Sequence, residues 1–277
     1  MSTNGNVSPG FLHRVGVPLS SFFTTTDGSW FTPTDHSRGP WHTDHCHAGP
    51  PTGLAARALE RALPEQRLTR ITVDLLRPIP HAGFRVEARV LKAGRGVSRT
   101  QCELSDSDGR VVATASGLHM LESAQQSLPT HHEAIAPHQE AVPAGFPIAV
   151  PRHKMPTFVG GVEVKYPPGE SAAPGPTTVW MRTVPLLPDE TPSPFQRICP
   201  LGDCGNAFGR NADATDISFV NPDLTLVLHR DPVGEWLGMR AVGYWEGNGI
   251  GTSDAQLFDE KGCVGRAMQT LFIRPVG

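Results

Sequence analysis

The sequence predicts an α+β fold in which one unit, a helix wrapped by an antiparallel sheet, is written twice in tandem. The first observation behind this is an internal repeat. Thr72–Leu118 aligns with Thr225–Leu271 without a gap, at a constant offset of 225 − 72 = 153 residues. Eleven of the 47 aligned positions are identical, among them Thr72/Thr225, Arg77/Arg230, Ala88/Ala241, Gly94/Gly247, Asp106/Asp259 and Gly109/Gly262. Repetition at a fixed period means that one structural unit recurs. The second observation is the order of signals within each copy: a Gly/Pro-rich loop, a helical stretch, then several strand-like runs closed by turn residues. Strands that meander after a single helix form an antiparallel sheet packed on it.

The elements follow in chain order. Ser20–Phe31 reads as a short strand-like segment. Gly49, Pro50, Pro51, Thr52 and Gly53 read as a loop. Leu54–Leu63 then reads as the first helix, because Leu54, Ala55, Ala58, Leu59 and Ala62 share one face, and Pro64 stops it. Strands are predicted at Arg70–Leu76, Phe84–Ala93, Val97–Ser105 and Val111–Leu121, with a hairpin turn from Asp106 to Gly109. Glu122–Pro156 holds Gln125, Gln126, His131, His132, His138 and several prolines without periodicity, and reads as a linker crossing the surface. In the second copy Val162–Val184 is strand-like but broken by Pro-Gly turns. Strands follow at Leu224–Arg230, Trp236–Trp245, Gly251–Phe258 and Val264–Arg274. The division is therefore residues 1–121, a linker at 122–156, and residues 157–277.

Composition narrows the function. The 277-residue chain carries a formal charge of −3 and no basic run, which argues against a nucleic-acid partner. Met1–Gly10 lacks the basic and apolar regions of a signal peptide. No apolar run approaches the ~18 residues of a membrane span. Five scattered cysteines without a CxxC pair suit a reduced cytoplasmic protein.

Certain motifs are more specific. The second copy contains NPDLTLVLHR from Asn221 to Arg230, then PVGEWL from Pro232 to Leu237, and VGRAMQ from Val264 to Gln269. The first copy supplies Gly39, Pro40 and Trp41, then AGPPTGL from Ala48 to Leu54. These segments resemble the type II acyl-CoA thioesterases, and more closely the actinobacterial-style thioesterase family related to them. The resemblance covers nearly the whole chain apart from the tail and linker, and it implies a tandem double hotdog. In the type II enzymes a carboxylate near the start of the second hotdog helix, a hydroxyl residue opening the next strand and a glutamine on the last strand hold a water. Those positions fall on Asp203, Asn221 and Gln269. Asn221 departs from the pattern, since an amide holds water but does not act as the same hydroxyl donor and acceptor.

The chemistry suits those residue types. A thioester needs a positioned water, a base and stabilisation of the oxyanion. Asp203 is placed to take the water's proton, with Asn221 and Gln269 orienting the water. Free N–H groups at the start of the second helix, around Asp203–Gly205, would polarise the carbonyl, and Gly202 and Gly205 would let substrate approach. His47 and Gly49 are the other substrate-binding candidates, at the entry to the first helix. No cofactor or metal is implied, and the partner is an acyl-CoA or related thioester, with a homodimer left open. Each residue also has a plain structural reading: Asp203 as a helix cap, Asn221 as a turn residue, Gln269 as a strand amide that needs a partner. Subtracting 153 gives Pro50, Leu68 and Ser116, so the first copy lacks the set and would serve as a partner shell.

Competing signals are weaker. His42, His45 and His47 with Asp44 or Cys46 invite a zinc reading, but their spacing is not that of a closed site. Cys204 has no matched histidine and reads as a structural thiol. Arg77 and Arg230 either meet CoA phosphates or pair structurally, and their repetition favours structure. Hotdog hydratases carry Asp-x-Asn-x-x-His on the helix; here Asp203 and Asn206 are followed by Phe208, without the histidine. A non-hydrolytic acyl or small-molecule binder, or a biosynthetic enzyme reusing the pocket, stays open.

Overall fold

A computed structural model describes residues 20–123, 128–148 and 153–276. Met1–Gly10, Gln125 and Gln126 lie outside the described residues. The first copy comprises β1 (Phe23–Thr25), β2 (Trp30–Pro33), α1 (Gly49–Ala62), β3 (Arg67–Leu75), β4 (Phe84–Lys92), β5 (Val97–Ser105) and β6 (Val111–Met120). The second comprises β7 (Val142–Pro143), β8 (Val162–Tyr166), β9 (Thr177–Thr183), α2 (Pro194–Gly202), α3 (Gly205–Phe208), β10 (Ile217–Val220), β11 (Asp223–Leu228), β12 (Leu237–Trp245), β13 (Ile250–Asp259) and β14 (Gly262–Pro275).

All strands join one antiparallel sheet in the order β1-β2-β4-β5-β6-β3-β11-β14-β13-β12-β9-β8-β7, with β10 beside β14. Read outward from the β3–β11 seam, the two halves repeat the same order. Thr72 and Thr225, equivalent under the 153 offset, face each other across that seam, and their hydroxyls are 3.1 Å apart. The sheet wraps on the helices, and α1 and α2 lie side by side. Alternate strand residues point inward, as the pleat requires. Leu68, Ile71 and Val73 of β3 join Leu224, Leu226 and Leu228 of β11 in one continuous core. The fold is the α+β double hotdog that the repeat and the resemblance imply. Among the described residues no helix is long and apolar enough to cross a membrane.

Three boundaries differ from the sequence reading. First, α1 starts at Gly49, not Leu54, so the Gly-Pro-Pro loop is its first turn. Proline is tolerated there because those N–H groups lack partners anyway. Second, the helix of the second copy starts at Pro194, where Ser193 caps it by accepting from Gln196 N. Asp203 therefore follows its C-terminal end, in the break before α3, instead of marking its start. The helix starts are 194 − 49 = 145 residues apart, eight fewer than the strand offset. The second copy regains the difference after its helix: residues 63–66 link α1 to β3, whereas 209–222, including β10 and Asn221, link α3 to β11.

Third, the ungapped register slips at the last hairpin. Leu104 pairs with Ala113, but its counterpart Leu257 pairs with Gly265, so the first copy's turn is one residue longer. Beyond it the structural offset is 152. Gln269 lies across from Ser253 as Gly117 lies across from Thr100, so the counterpart of Gln269 is Gly117, not Ser116. One residue of slip exchanges the two faces of a strand: Ser116 is exposed while Gln269 is buried.

The expected linker is fastened to the second copy. Trp180 Nε1 donates to Ala136 O (2.8 Å), Cys263 N donates to Glu133 O (2.7 Å), and Phe146 and Ile148 are buried.

Candidate active site

The N-terminus of α1 and the C-terminal end of α2 meet beside a cavity of about 530 Å³. The approach depends on Gly49. A Cβ there would stand 2.9 Å from Pro200 Cα, closer than packed atoms allow, and a tight 3.2 Å from Asp203 Cβ. The first copy therefore brings its helix end directly against Asp203 of the second.

Asp203 is 4% exposed and lies on the cavity wall. Its Oδ1 accepts from Asn221 Nδ2 (3.0 Å) and from Gln269 Nε2 (3.1 Å), which also donates to the Asp203 carbonyl (3.0 Å). Its Oδ2 is 3.1 Å from His47 Nδ1. The three residues predicted as a site thus converge, from the α2–α3 break, the loop before β11 and the inner face of β14. They converge on one carboxylate oxygen, where the sequence reading had placed a water between them.

Asn206 completes the network. Its Nδ2 donates to Asn221 Oδ1 (3.0 Å), and its backbone N donates to Gln269 Oε1 (3.0 Å). Both amides have their oxygens committed to Asn206, so their NH₂ groups must face Asp203. The sequence singles out Asn206 only through its place in the hydratase spacing. Its position three residues after Asp203, one helical turn on, was the available signal.

The electrostatics follow from burial. Removal from water pushes the Asp203 carboxyl up to about 7, against the opposing pull of hydrogen bonds from Asn221, the Gly49 N–H and Gln269. Burial pushes His47 down to about 4. Both groups are thus driven toward their neutral forms. The His47 ring stacks on Phe158, with centroids 4.0 Å apart and planes 13° apart. Gly49 N lies 3.2 Å from His47 Nδ1.

Of the four predicted substrate-binding residues, only His47 lines the cavity. Gly49 packs on Pro200, Gly202 lies against Leu226 of β11, and Gly205 faces Ser253 Oγ, which a Cβ would meet at 2.6 Å. These glycines serve close packing. Two of the N–H groups expected to be free are taken: Asp203 N donates to Cys199 O (3.2 Å) and Cys204 N to Leu201 O (2.8 Å). They belong to the end of a helix, where N–H groups have partners, not to its start.

The other signals resolve simply. The Cys204 thiol is fully buried and donates to Pro200 O (3.1 Å), and burial raises its pKa well above the ordinary value, so it is no nucleophile. His42 and His45 stack on each other (4.4 Å) and line the cavity. Among the described residues no three His, Cys, Asp or Glu side chains gather to hold a metal. Arg230 pairs with Asp259 (2.5 and 2.6 Å), while Arg77 lines the cavity and donates to Val111 O (2.9 Å), so the repeated arginines do different things. The remaining walls are mostly aromatic and aliphatic, including Trp41, Phe146, Phe158 and Phe219, with Thr157, Ser218 and Arg274 among them.

The profile of the acyl-CoA thioesterase N-terminal domain matches residues 37–120, and that of the acyl-CoA thioesterase C-terminal domain matches residues 133–273. No curated protein matches the chain. Solved structures share the fold at low identity. A conserved protein of unknown function with a hot dog fold from Alicyclobacillus acidocaldarius superposes with TM-score 0.69 at 15% identity, covering 91% of this chain and 96% of that one. The TesB protein of Mycobacterium avium subspecies paratuberculosis gives 0.64 at 16%, covering 91% and 96%. Acyl-CoA thioesterase II TesB2 of Mycobacterium marinum gives 0.60 at 14%, covering 92% and 96%. With its two halves matched in order by the two domains of one family, the chain belongs to the acyl-CoA thioesterase family.

Proposed function

We propose that the protein hydrolyses acyl thioesters, acyl-CoA first among them, with Asp203 as the source of basicity. The observation that carries this is a buried carboxylate on a largely apolar cavity, held by two oriented amides and poised near neutral pH. A base of that strength matches its task, since it is partly ionised near neutral pH yet strong enough to attract a proton. Asn221 and Gln269 hold the carboxylate, which in turn fixes where a water can be activated. Asn206 lines the cavity with one of its two amide protons uncommitted to Asn221, and is the candidate donor to the oxyanion. The apolar walls take the acyl chain, and Arg77 and Arg274, which also line the cavity, suit CoA phosphates.

In this proposal the unit of residues 1–121 contributes His47 and the end of α1, the unit of residues 157–277 contributes the carboxylate, and residues 122–156 supply Phe146 to the wall. The five cysteines are free thiols, which suits a reducing, cytoplasmic setting. The test is release of free thiol from a panel of acyl-CoAs. Asp203→Asn should lower turnover by ~10²–10⁴ and keep binding. Binding without turnover by the wild type would favour the non-hydrolytic reading. One observation favours a second activity: the acid–histidine pair of a hydratase, missing from the helix sequence, is assembled in space by His47 and Asp203. A 2-enoyl-CoA in the panel separates the two, because hydration consumes the double bond without freeing thiol.

A further inference from the structure

We infer that His47 is the group that takes the proton from the attacking water, with Asp203 acting through it. The inference rests on the hydrolase reading and assigns the proton transfer within it. Both oxygens of Asp203 are engaged, Oδ1 by two amides and Oδ2 by His47 Nδ1. With those three partners, and the Gly49 N–H also within reach, the carboxylate is poorly placed to receive a further donor from the cavity. The imidazole is better placed. Its side chain is 14% exposed against 5% for Asp203, its ring lines the cavity, and Nε2 has no hydrogen-bond partner among the described residues. Stacking on Phe158 fixes the ring plane, and Phe158 is itself packed by Phe22 and Phe146. A base whose far nitrogen is held by a buried carboxylate has the tautomer and orientation that proton transfer needs.

The arrangement spans the two copies, which is why neither copy's sequence displays it. In the active form Asp203 is ionised and accepts from His47 Nδ1–H. The Gly49 N–H, within reach of both groups, then donates to the carboxylate. The Nε2 lone pair takes a proton from water as its oxygen bonds to the thioester carbonyl carbon. The tetrahedral intermediate then breaks its C–S bond, and the departing thiolate takes the proton back from Nε2. Acid and thiol form, and the dyad returns to its starting state. The groups that meet the pair from neighbouring elements are neutral: Gly49 of α1, Cys199 of α2, Cys204, Asn221, Gln269 of β14 and Phe158.

The experiment compares wild type, His47→Gln, Asp203→Asn and the double variant on an acyl-CoA that the wild type hydrolyses, as kcat and KM against pH. His47→Gln should lower kcat by ~10²–10⁴ with little change in KM. The double variant should be no slower than the slower single variant, because the two residues act as one unit. Full wild-type activity with His47→Gln within about threefold of it would overturn the inference and leave Asp203 as the direct base. A wild type that releases no thiol from any substrate would instead sink the hydrolase reading, and this inference with it. Should His47→Gln fail to fold, the imidazole ¹⁵N shifts of the wild type decide. A proton on Nδ1 at the pH of full activity supports the dyad, and a proton on Nε2 overturns it.

Discussion

Asp203→Asn should stabilise the protein while it removes activity. In the folded chain burial holds the carboxyl at about 7 against an ordinary value of 3.8. A raised carboxyl stabilises the fold fully only below 3.8, and that contribution is lost as pH rises through about 7. Three units at about 1.4 kcal/mol each cost the wild type about 4 kcal/mol above pH 7. Asparagine removes the charge and keeps the geometry. Its oxygen still accepts from Asn221 and Gln269, and its NH₂ replaces Oδ2 opposite His47 Nδ1. The Gly49 N–H and the new amide then compete for one acceptor, which returns about 1 kcal/mol. The net gain is about 3 kcal/mol, or about 6–12 °C in Tm for a chain of this size. Calorimetry at pH 8 and pH 5 reads it directly, and the gain should shrink at pH 5, where less of the wild-type cost remains. In the same preparation thiol release should fall by ~10²–10⁴. An Asp203→Asn protein that melts at or below the wild type at pH 8 would refute the buried, charge-penalised carboxylate from which the magnitude is worked.

Further outcomes follow from the same geometry. Thiol release should climb as pH rises through about 7, the value to which burial lifts Asp203, because the pair must lose a proton to become basic; a profile flat from pH 5 to 9 contradicts this. Gln269→Ala should lower kcat and stability together, since Asn206 N and the Asp203 carbonyl both lose buried partners, at about 1–3 kcal/mol in a denaturant melt. Gly205→Ala should lower the melting temperature, because its Cβ would meet the buried Ser253 Oγ at 2.6 Å and force that hydroxyl to move; an unchanged thermal melt contradicts this. Ser116→Ala should leave both melting and kinetics unchanged, as that side chain is exposed on the outer face of the sheet.

The repeat made the fold legible because hydrophobic alternation and turn residues are local properties, and two copies report them twice. Offset 153 places Thr72 and Thr225 face to face at the seam, which no single strand could have announced. The residue types of the candidate site were legible through the resemblance, since Asp203, Asn221 and Gln269 fall where the type II thioesterases hold a water. What the sequence could not weigh was one extra residue in a hairpin turn. That residue exchanged Ser116 for Gly117 as the counterpart of Gln269, because the pleat has a period of two. Nor could it place Asp203 after a helix: the loop and helix lengths of the two copies differ by eight residues, and the aligned region begins beyond them. The partner of Asp203 was the least visible of all. His47 lies 203 − 47 = 156 residues away in the other copy, and the pair forms only because α1 and α2 pack closely enough at Gly49 to bring their ends together. Sequence alone determined the repeated sheet-on-helix unit and the polar residues it buries. Which oxygen meets which nitrogen was decided by the packing of the two helices, since contacts at 3 Å depend on distances that periodicity does not encode.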